Sequence, residues 1–591
     1  MLRFSRCLLL VGLAYGFTVT AQSTADKSQP DVSSAGQSPS ASPVTAPPGK
    51  QTIALPAAPA PADSPAVHPS GAPPDPLGEA RALTRKGDFD AAIEKYRQLL
   101  QERPKSPDAY AGLTRVYLKK KDVAQAYDTV TKGLQLTDSW PVHVALGEVY
   151  FRQGKISDAE KEWVDVINSG HQAAQAYLGL AQVRWAVSKN KSAKAMIDKA
   201  HALDPKDPDI LRYWFNTESR RERIKNLENY LTTLGGNDPE RPPAQIYLNY
   251  LEQKAGGDLT CALVNKVAST ETPLVRMLTD PEHVRGVGLS VFVNGERSRL
   301  LLDTGASGIV LNRVMAERTG VTKLSETRMA GIGDEGSKAG YVGFARSIRI
   351  GDLEFKNCPV DVLESRSVTG EDGVIGADVF EDFLVDINFP TEKLRLLELP
   401  KRPDESAQTL SLNVGEDRGQ AENPGDPTEK TGASSPPRST HSGPQDRYIA
   451  PEMQSYTPVY RFGHDLLVST KVGDAAEKLF LLDTGAIDNM ISPSAASEVT
   501  KVGRDSHAVL KGISGSVSKV YNANKAVLQF GHLRQENQDI LAFDLTSISN
   551  NAGTEISGIL GFTMLRLLEI KIDYRDGLVD FHYDPKRLIH F

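Results

Sequence analysis

A six-residue segment occurs twice in this chain and constrains the fold more than any other feature. Leu301–Ala306 reads Leu-Leu-Asp-Thr-Gly-Ala, and Leu481–Ala486 repeats it without a change. A lone Asp-Thr-Gly arises by chance in roughly one chain in ten of this length at average residue usage. One copy is typical of a tight turn after a strand. Two identical copies instead indicate two related domains.

The surroundings of the two copies also correspond. Each copy follows an apolar strand that ends in a Gly turn, at Leu289–Gly295 and at Leu467–Gly473. Further matching segments are a Gly-rich stretch (Gly331–Gly333, Gly512–Gly515), a tyrosine (Tyr341, Tyr521), an apolar pair before glycine (Gly373–Gly376, Gly558–Gly561) and a closing strand (Phe383–Asn388, Leu568–Asp573). Short strands separated by turns predict an all-β, barrel-like domain that is present twice. The polar segment Ser547–Asn551 is predicted to be a loop.

This order of motifs resembles the retropepsin-like aspartic peptidases, over residues 258–400 (domain 1) and 446–591 (domain 2). The resemblance implies that each half supplies one catalytic aspartate, Asp303 and Asp483. The residues that it assigns to the supporting loops are Thr304, Gly305, Ser307, Thr484 and Gly485. The residues that it places in flaps over the substrate are Gly331, Gly333, Tyr341, Gly512, Gly515 and Tyr521. The two tyrosines have an alternative role as packing residues at strand edges.

The chemistry of such a site explains why two copies are needed. Two carboxyl groups about 3 Å apart cannot both ionise, so the pair shares one proton. The ionised member takes a proton from water, and the protonated member donates to the scissile carbonyl. The reaction requires no metal and no cofactor, and we predict neither. The chain has eleven histidines and three cysteines and lacks a His-Glu-x-x-His pair, which leaves little basis for a zinc site.

The two copies differ just after the motif. The resemblance implies that Ser307 donates a hydrogen bond to the outer oxygen of Asp303. Ile487 occupies the corresponding place in the second copy and cannot donate, and Asp488 adds a negative charge nearby. This difference is consistent with unequal roles of the two halves, or with a second half that has become mainly structural.

The pairing of the halves is open at the level of sequence. Residues 401–445 form a polar linker rich in Glu, Asp, Gly, Pro and Ser, and a flexible coil of this length spans roughly 35–40 Å. This length permits the halves to pair within one chain, as a monomer with one site, which is the arrangement that we expect. Homodimerisation of like halves is the alternative.

The region before the β domains has a helical repeat. The segments Gly87–Ala92, Lys121–Ala126 and Gly154–Ala159 recur at intervals of 34 and 33 residues, each followed by apolar residues three and four apart. This pattern resembles the tetratricopeptide repeat over residues 76–235. Such α-solenoids present a concave groove that binds a protein or peptide partner. A spacer that positions the next domain is the alternative.

The first 75 residues are predicted to lie outside the fold. Residues 1–21 resemble a signal peptide, with Arg3 and Arg6 before an apolar stretch and Val19-Thr20-Ala21 before the expected cleavage site. An uncleaved anchor is the alternative. Residues 22–75, rich in Pro, Ala and Ser, are predicted to be a disordered tether. The mature protein is then periplasmic or secreted, with no membrane span. Its two cysteines, Cys261 and Cys358, form a disulfide or remain free thiols.

Two functions follow from these observations. The first is an exported aspartic endopeptidase whose tetratricopeptide arm binds substrates or partners. The second is a non-catalytic binding scaffold that uses inactive peptidase-like domains. Nucleic-acid binding is disfavoured because 68 basic residues against 75 acidic ones give a net charge of −7. The Gly-x-Gly-x-x-Gly pattern at Gly331–Gly336 precedes a poor helix start, so it does not indicate a dinucleotide site.

Overall fold

The computed structural model describes residues 75–238, 240–252, 261–265, 267–281, 283–365, 370–403 and 445–586. The predicted signal peptide and tether, and most of the predicted linker, lie outside these residues. The described helices and sheets from Pro76 onward belong to one compact unit. Among these helices, none has both the length and the apolar character that crossing a bilayer requires.

Antiparallel helices make up the first part of this unit. They are α1 (Pro76–Arg85), α2 (Phe89–Glu102), α3 (Pro107–Lys119), α4 (Val123–Leu136), α5 (Trp140–Arg152), α6 (Ile156–Asn168), α7 (Ala174–Ala186), α8 (Asn190–Leu203), α9 (Pro208–Trp214), α10 (Arg220–Thr233) and α11 (Arg241–Glu252). Small residues allow the helices to approach closely. The buried indole of Trp163 lies between Gly147 and Gly179, where an added methyl group would come within 2.5 and 2.4 Å of it.

The helical block is longer than the sequence pattern indicates and it closes on itself. It continues to Glu252, beyond the predicted end at residue 235. Near its end, Gly235 N donates to Arg85 O at the end of α1 (3.3 Å). Lys119 of α3 also forms a 2.8 Å ion pair with Asp209 of α9. The end of the solenoid therefore contacts its beginning.

Most strands of domain 1 form a barrel. In chain order the strands of this domain are β1 (Ala262–Leu263), β2 (Ser269–Pro273), β3 (Val275–Asp280), β4 (His283–Val293), β5 (Glu296–Asp303), β6 (Ile309–Asn312), β7 (Thr322–Met329), β8 (Lys338–Ile350), β9 (Leu353–Leu363), β10 (Gly373–Gly376), β11 (Phe383–Asn388) and β12 (Lys393–Glu398), with the short helix α12 (Arg313–Arg318) after β6. A closed ring is formed by β4, β5, β10, β6, β9 and β8, because β8 pairs with both β9 and β4. Strands β2, β11 and β12 belong to a second sheet. Cys261 and Cys358 form a disulfide that ties the start of this domain to β9.

Domain 2 repeats this barrel. Its strands are β13 (Thr457–Pro458), β14 (Tyr460–Phe462), β15 (Asp465–Val472), β16 (Glu477–Leu482), β17 (Met490–Ile491), β18 (Val502–Asp505), β19 (Lys511–Gly512), β20 (Gly515–Ser516), β21 (Val520–Phe530), β22 (Leu533–Phe543), β23 (Gly558–Leu560), β24 (Leu568–Asp573) and β25 (Leu578–Tyr583), and its helices are α13 (Pro493–Ser497), α14 (Thr546–Ala552) and α15 (Phe562–Leu565). The ring contains β15, β16, β23, β17, β22 and β21. The prediction of a loop at Ser547–Asn551 is wrong, because α14 covers this segment.

One sheet joins the two domains. Strand β11 of domain 1 pairs with β24 of domain 2, in a six-stranded sheet of the order β13-β25-β24-β11-β12-β2. At its centre the antiparallel pair β11–β24 places Val385 opposite Ile572, and both are fully buried. Backbone hydrogen bonds and a common core therefore hold the halves of one chain together.

The solenoid packs against both β domains. The turn between α5 and α6 lies against domain 2: Thr554 Oγ1 donates to Phe151 O (2.7 Å), and Glu555 N donates to Arg152 O (2.9 Å). The Phe151 ring also lies 5.7 Å from that of Phe462. On the other side, α10 and α11 share an apolar cluster with Val342 of β8. The helical block therefore has fixed contacts with both β domains.

Candidate active site

The repeated hexamer places an aspartate at the end of a buried strand in each barrel. Asp303 is the last residue of β5, and Asp483 directly follows β16. Side chains alternate between the two faces of β5. Leu302 therefore points into the barrel core, whereas Leu301 and Asp303 lie on the opposite face. Strands β10 and β23 run parallel to β5 and β16 and support the loops from beneath.

The two threonines join the loops across the domain boundary. Thr304 Oγ1 donates to Leu482 O (2.7 Å) and accepts from Thr484 N (3.0 Å). In return, Thr484 Oγ1 donates to Leu302 O (2.8 Å) and accepts from Thr304 N (3.1 Å). Both threonines are buried. The four bonds hold the two aspartates side by side within one chain.

The glycines after the threonines leave room for the carboxyl groups. A methyl group on Gly485 would lie 2.3 Å from Asp303 Oδ2, and one on Gly305 would lie 2.9 Å from Asp483 Cγ. No residue with a side chain fits at either position without moving a carboxyl. Each glycine of one half therefore forms part of the wall around the aspartate of the other half.

The two carboxyl groups interact directly and have perturbed acidity. Burial, followed by the charge and hydrogen bond of Asp483, holds the pKa of Asp303 well above its usual range. Burial also raises the pKa of Asp483, while its hydrogen bonds with Asp303 and with the Ala486 and Gly485 amides act in the opposite direction. Such a pair titrates as a unit and loses its two protons in two separate steps.

The expected bond from Ser307 to Asp303 is not formed. Ser307 Oγ donates instead to Asp378 Oδ2 (2.9 Å), and Gly308 N donates to Asp378 Oδ1 (2.9 Å). Asp378 is buried and lies two residues after the end of β10. Its two hydrogen bonds hold the first Asp-Thr-Gly loop in place. In the second half Asn489 has a similar role, since its Oδ1 accepts from Gly561 N (2.8 Å). Sequence reasoning did not identify Asp378 or Asn489, because neither lies in the repeated motif.

The predicted flap glycines lie at the tips of two hairpins that contact each other. The loop between β7 and β8 carries Gly331 and Gly333, and the β19–β20 hairpin carries Gly512 and Gly515. Across the tips, Gly331 N donates to Ser514 Oγ (3.0 Å) and Ser514 N donates to Ile332 O (3.0 Å). The two tips are therefore joined in this structure.

The two tyrosines lie away from these tips. Tyr341 is on β8, opposite Glu326, and Lys323 Nζ lies 5.1 Å from its ring centre. Tyr521 is on β21, opposite Ala542. Both rings are partly buried against the barrel cores. This placement fits the packing alternative, and a role of either tyrosine in the flaps stays a prediction.

An apolar cluster lies on the same strand face as the aspartate in each half. Its members in domain 1 are Met277, Leu301, Val310, Met329, Leu363 and Val374, and those in domain 2 include Leu481, Ala486, Met490 and Ile559. Each hairpin tip extends to the opposite half: Ile513 packs with the first group and Ile332 with the second. The strand alternation next to each aspartate was the signal that could have identified Leu301 and Leu481.

The part of the chain that the structure describes contains no group of three or more His, Cys, Asp or Glu side chains that could hold a metal ion. The polar groups next to the paired carboxyls include the backbone amides of Gly305, Gly485 and Ala486. This arrangement can bind a water molecule between the carboxyls and move protons through them.

Comparison with known proteins agrees with this geometry. Residues 289–379 and 468–564 match the aspartyl protease family, and each of the two segments contains one Asp-Thr-Gly loop. Residues 83–137 match the tetratricopeptide repeat. Both β domains are retropepsin-like. The retropepsin-like pair is thus preceded by a tetratricopeptide solenoid, and the fold class is an α-solenoid followed by two β-barrel half-domains.

Curated relatives match part of this chain. The UBA domain-containing protein Mud1 of Schizosaccharomyces pombe is 31% identical over 153 residues, which are 25% of this chain and 45% of that protein. DNA damage-inducible protein 1 of Neurospora crassa is 24% identical over 270 residues, which are 42% of this chain and 57% of that protein. The chain thus spans about half the length of these relatives.

Solved structures match the helical part. A thermophilic TPR protein of Thermus thermophilus is 22% identical, with 29% of this chain and 97% of that chain covered and a TM-score of 0.25. The structure of MamA is 21% identical, with 26% and 93% covered and a TM-score of 0.18.

Proposed function

We propose that this protein is an aspartic endopeptidase that hydrolyses peptide bonds with water activated between Asp303 and Asp483. The observation that carries this proposal is the set of four threonine bonds, which bring both carboxyls into one buried site. Retention of both complete Asp-Thr-Gly loops supports it further, since a binding scaffold has no need for either carboxyl.

The geometry supports a direct attack by water. One carboxylate takes a proton from the water, whose oxygen bonds to the scissile carbonyl carbon, while the other carboxyl donates its proton to the carbonyl oxygen. The resulting diol collapses when the first carboxyl protonates the amide nitrogen and the second recovers a proton from a diol hydroxyl. The C–N bond then breaks, leaving a carboxylic acid and an amine. No side chain is covalently modified.

The apolar groups of the two halves support a substrate class. An extended peptide between the carboxyls and the hairpin tips would place its side chains against these groups. We expect apolar residues on both sides of the cleaved bond, because transfer of a large apolar side chain from water contributes about 2 kcal/mol. The hairpin tips must separate to admit such a peptide.

The setting of the reaction is part of the proposal. The disulfide between Cys261 and Cys358 favours an oxidising compartment and therefore supports export to the periplasm or medium. Tetratricopeptide repeats are typical of protein–protein interaction, and we propose that the solenoid positions substrates or a protein partner for the peptidase. Its packing against both β domains suits a fixed arm. We also propose a monomeric protein with one site per chain.

Cleavage of a peptide library from about pH 3 to about pH 8 tests the proposal. The mature protein is compared with Asp303→Asn and Asp483→Asn, and we expect cleavage by the wild type alone. A mixture of the two variants should stay inactive if the halves pair within one chain, whereas regained activity would indicate exchange between chains. If the wild type cleaves nothing while it binds peptides, the non-catalytic scaffold is the better account.

A further inference from the structure

The two aspartates do not accept the same hydrogen bonds. Asp483 Oδ1 accepts from two backbone amides, Gly485 N and Ala486 N, each at 2.9 Å. Asp303 Oδ1 accepts from Gly305 N (2.8 Å), but Ala306 N is directed to the main-chain oxygen of Asp303 (3.4 Å). Amide bonds to a carboxylate favour its ionised form. The additional amide therefore favours ionisation of Asp483 over that of Asp303.

A second difference lies on the strand that precedes each loop. Leu467 pairs with Leu481 in domain 2, and Gly288 pairs with Leu301 in domain 1. Counting back two residues from each pair, Asp465 corresponds to Gly286. A methyl group on Gly286 would lie 4.0 Å from Thr484 O, so this position of one half faces the Asp-Thr-Gly loop of the other.

By the same pseudo-symmetry, Asp465 faces the loop of Asp303. It is the first residue of β15, and its side chain is 14% exposed. Next to it His464 Nε2 lies 3.2 Å from Asp465 Oδ1. No carboxylate takes the equivalent place beside Asp483, because Gly286 is there. A carboxyl group therefore lies beside the loop of Asp303, whereas the equivalent position in the other half, Gly286, has no side chain.

The charged groups around the pair act in the same direction. Asp303 interacts with Asp483 and Asp465, and Asp465 in turn interacts with His464, Asp483 and Asp378. Burial, then Asp483, then Asp465 raise the pKa of Asp303. The neighbouring cation on β14, Arg461, is bonded to Glu381 (2.7 Å) and to Tyr574 O (2.7 Å).

We propose that Asp303 carries the shared proton and Asp483 is the ionised base, and that Asp465 is a positioning residue that keeps the proton on Asp303. The placement of the proton is a property of the folded chain, whereas its role in catalysis rests on the proposed function. In that reaction Asp483 takes the proton of water and Asp303 donates to the scissile carbonyl oxygen.

Carbon-13 NMR of the full chain, labelled at the aspartate carboxyl carbons, tests the placement without any substrate. Asp303→Asn and Asp483→Asn assign the two resonances. In the pH range where the titration shows that the pair holds one proton, Asp303 should show the protonated shift and Asp483 the ionised one. The reverse order, or equal partial shifts, overturns the proposal.

Asp465→Asn tests the positioning role. Removal of a negative charge makes Asp303 easier to ionise, so the alkaline limb of the kcat/KM profile should move to lower pH by about half a unit to one unit. The NMR titration of Asp303 should move by the same amount. Asp465→Glu keeps the charge and should restore the wild-type profile. Asp474→Asn, an exposed aspartate in the turn after β15, is the matched control and should shift neither quantity.

The outcomes separate this proposal from the proposed function. If Asp465→Asn lowers kcat/KM equally at every pH and the Asp303 titration is unmoved, Asp465 has a structural role only and the proposal fails. If the wild type cleaves no peptide, the proposed function fails, while the NMR titration still decides the placement of the proton.

Discussion

At the scale of single residues, the geometry of the aspartate pair depends on two threonine hydroxyls, each of which donates one hydrogen bond and accepts another. Each threonine of the Asp-Thr-Gly loops donates to a carbonyl and accepts from an amide of the opposite half. Valine has the same shape but can do neither. The sequence identifies these threonines because the motif repeats. It does not identify Asp378, whose bonds to the first loop span 70 residues or more.

Thr304→Val should separate the two loops. The buried amide of Thr484 and the buried carbonyl of Leu482 lose their partners, which costs about 1–3 kcal/mol each. We expect a lower urea midpoint and a large loss of kcat for peptide cleavage. Thr470→Val is the control, because this buried threonine donates only to Val468 O in its own strand. Thr470→Val should lower the urea midpoint but leave kcat unchanged. Unchanged kcat in Thr304→Val would contradict the role of the threonine bonds.

Asp573, at the end of β24, should make stability depend on pH. Burial, and then the charge of Asp576, raise its pKa to about 6. Because the folded state holds this proton more tightly than the unfolded state, the stabilisation is present below about pH 4 and is lost as the pH rises towards 6. The loss amounts to about 3 kcal/mol for a shift of about two pKa units. In Asp573→Asn the urea midpoint should fall less between these pH values, whereas a fall equal to that of the wild type would exclude this carboxyl as the cause.

At the scale of elements, the hairpin tips show how local sequence and tertiary contact combine. Glycines predict tight tips in both halves, which the structure contains. The contact between the tips, and the crossing of Ile332 and Ile513 to the opposite halves, depend on the orientation of the two barrels. The loop prediction for Ser547–Asn551 failed for a related reason. Asn and Ser have poor helix propensity, but α14 has Ile548 and Ala552 packed against a core cluster.

Gly333→Ala and Gly336→Ala form a matched pair on one hairpin. Both glycines have positive φ, 130° and 72°, so alanine is strained at each by about 1 kcal/mol. A methyl group on Gly333 would also lie 2.4 Å from the Ser514 backbone, whereas none of the described atoms lies within 4 Å of one on Gly336. We expect Gly333→Ala to open the tips and lower kcat/KM several-fold, and Gly336→Ala to have a small effect. Equal effects would show that backbone strain alone matters.

At the scale of the whole molecule, the solenoid packs against both β domains. It contacts domain 2 through Phe151 and domain 1 through the cluster around Val342. Phe151 lies between Trp163 of the solenoid and Phe462 of domain 2, with ring centres 6.1 and 5.7 Å away. The solenoid also contains ion pairs between its own helices, such as Arg115 with Glu148 at 2.8 Å.

Phe151→Ala should weaken the contact between the solenoid and domain 2. Loss of a buried ring costs about 3 kcal/mol, so we expect a lower thermal midpoint for the full chain. The loop that contacts Phe151, at Thr554, leads into β23, which contains Ile559. Because Ile559 belongs to the apolar cluster of domain 2 that we propose contacts the substrate, KM should rise more than kcat falls. Tyr127→Ala, an exposed ring on the same solenoid (38%), is the control and should change neither. A stable Phe151→Ala variant with unchanged KM would mean that the two parts work independently.

The sequence by itself determined the two barrels, the helical repeat and the residues of the aspartate loops, because these depend on local patterns: strand alternation, a repeat of 33–34 residues and an identical hexamer. Tertiary structure alone decided the pairing of β11 with β24, the closure of the solenoid, the disulfide, and the partners of Ser307 and Asp465. These contacts join residues that are far apart in the chain. Their energies depend on burial and orientation, which no local pattern encodes.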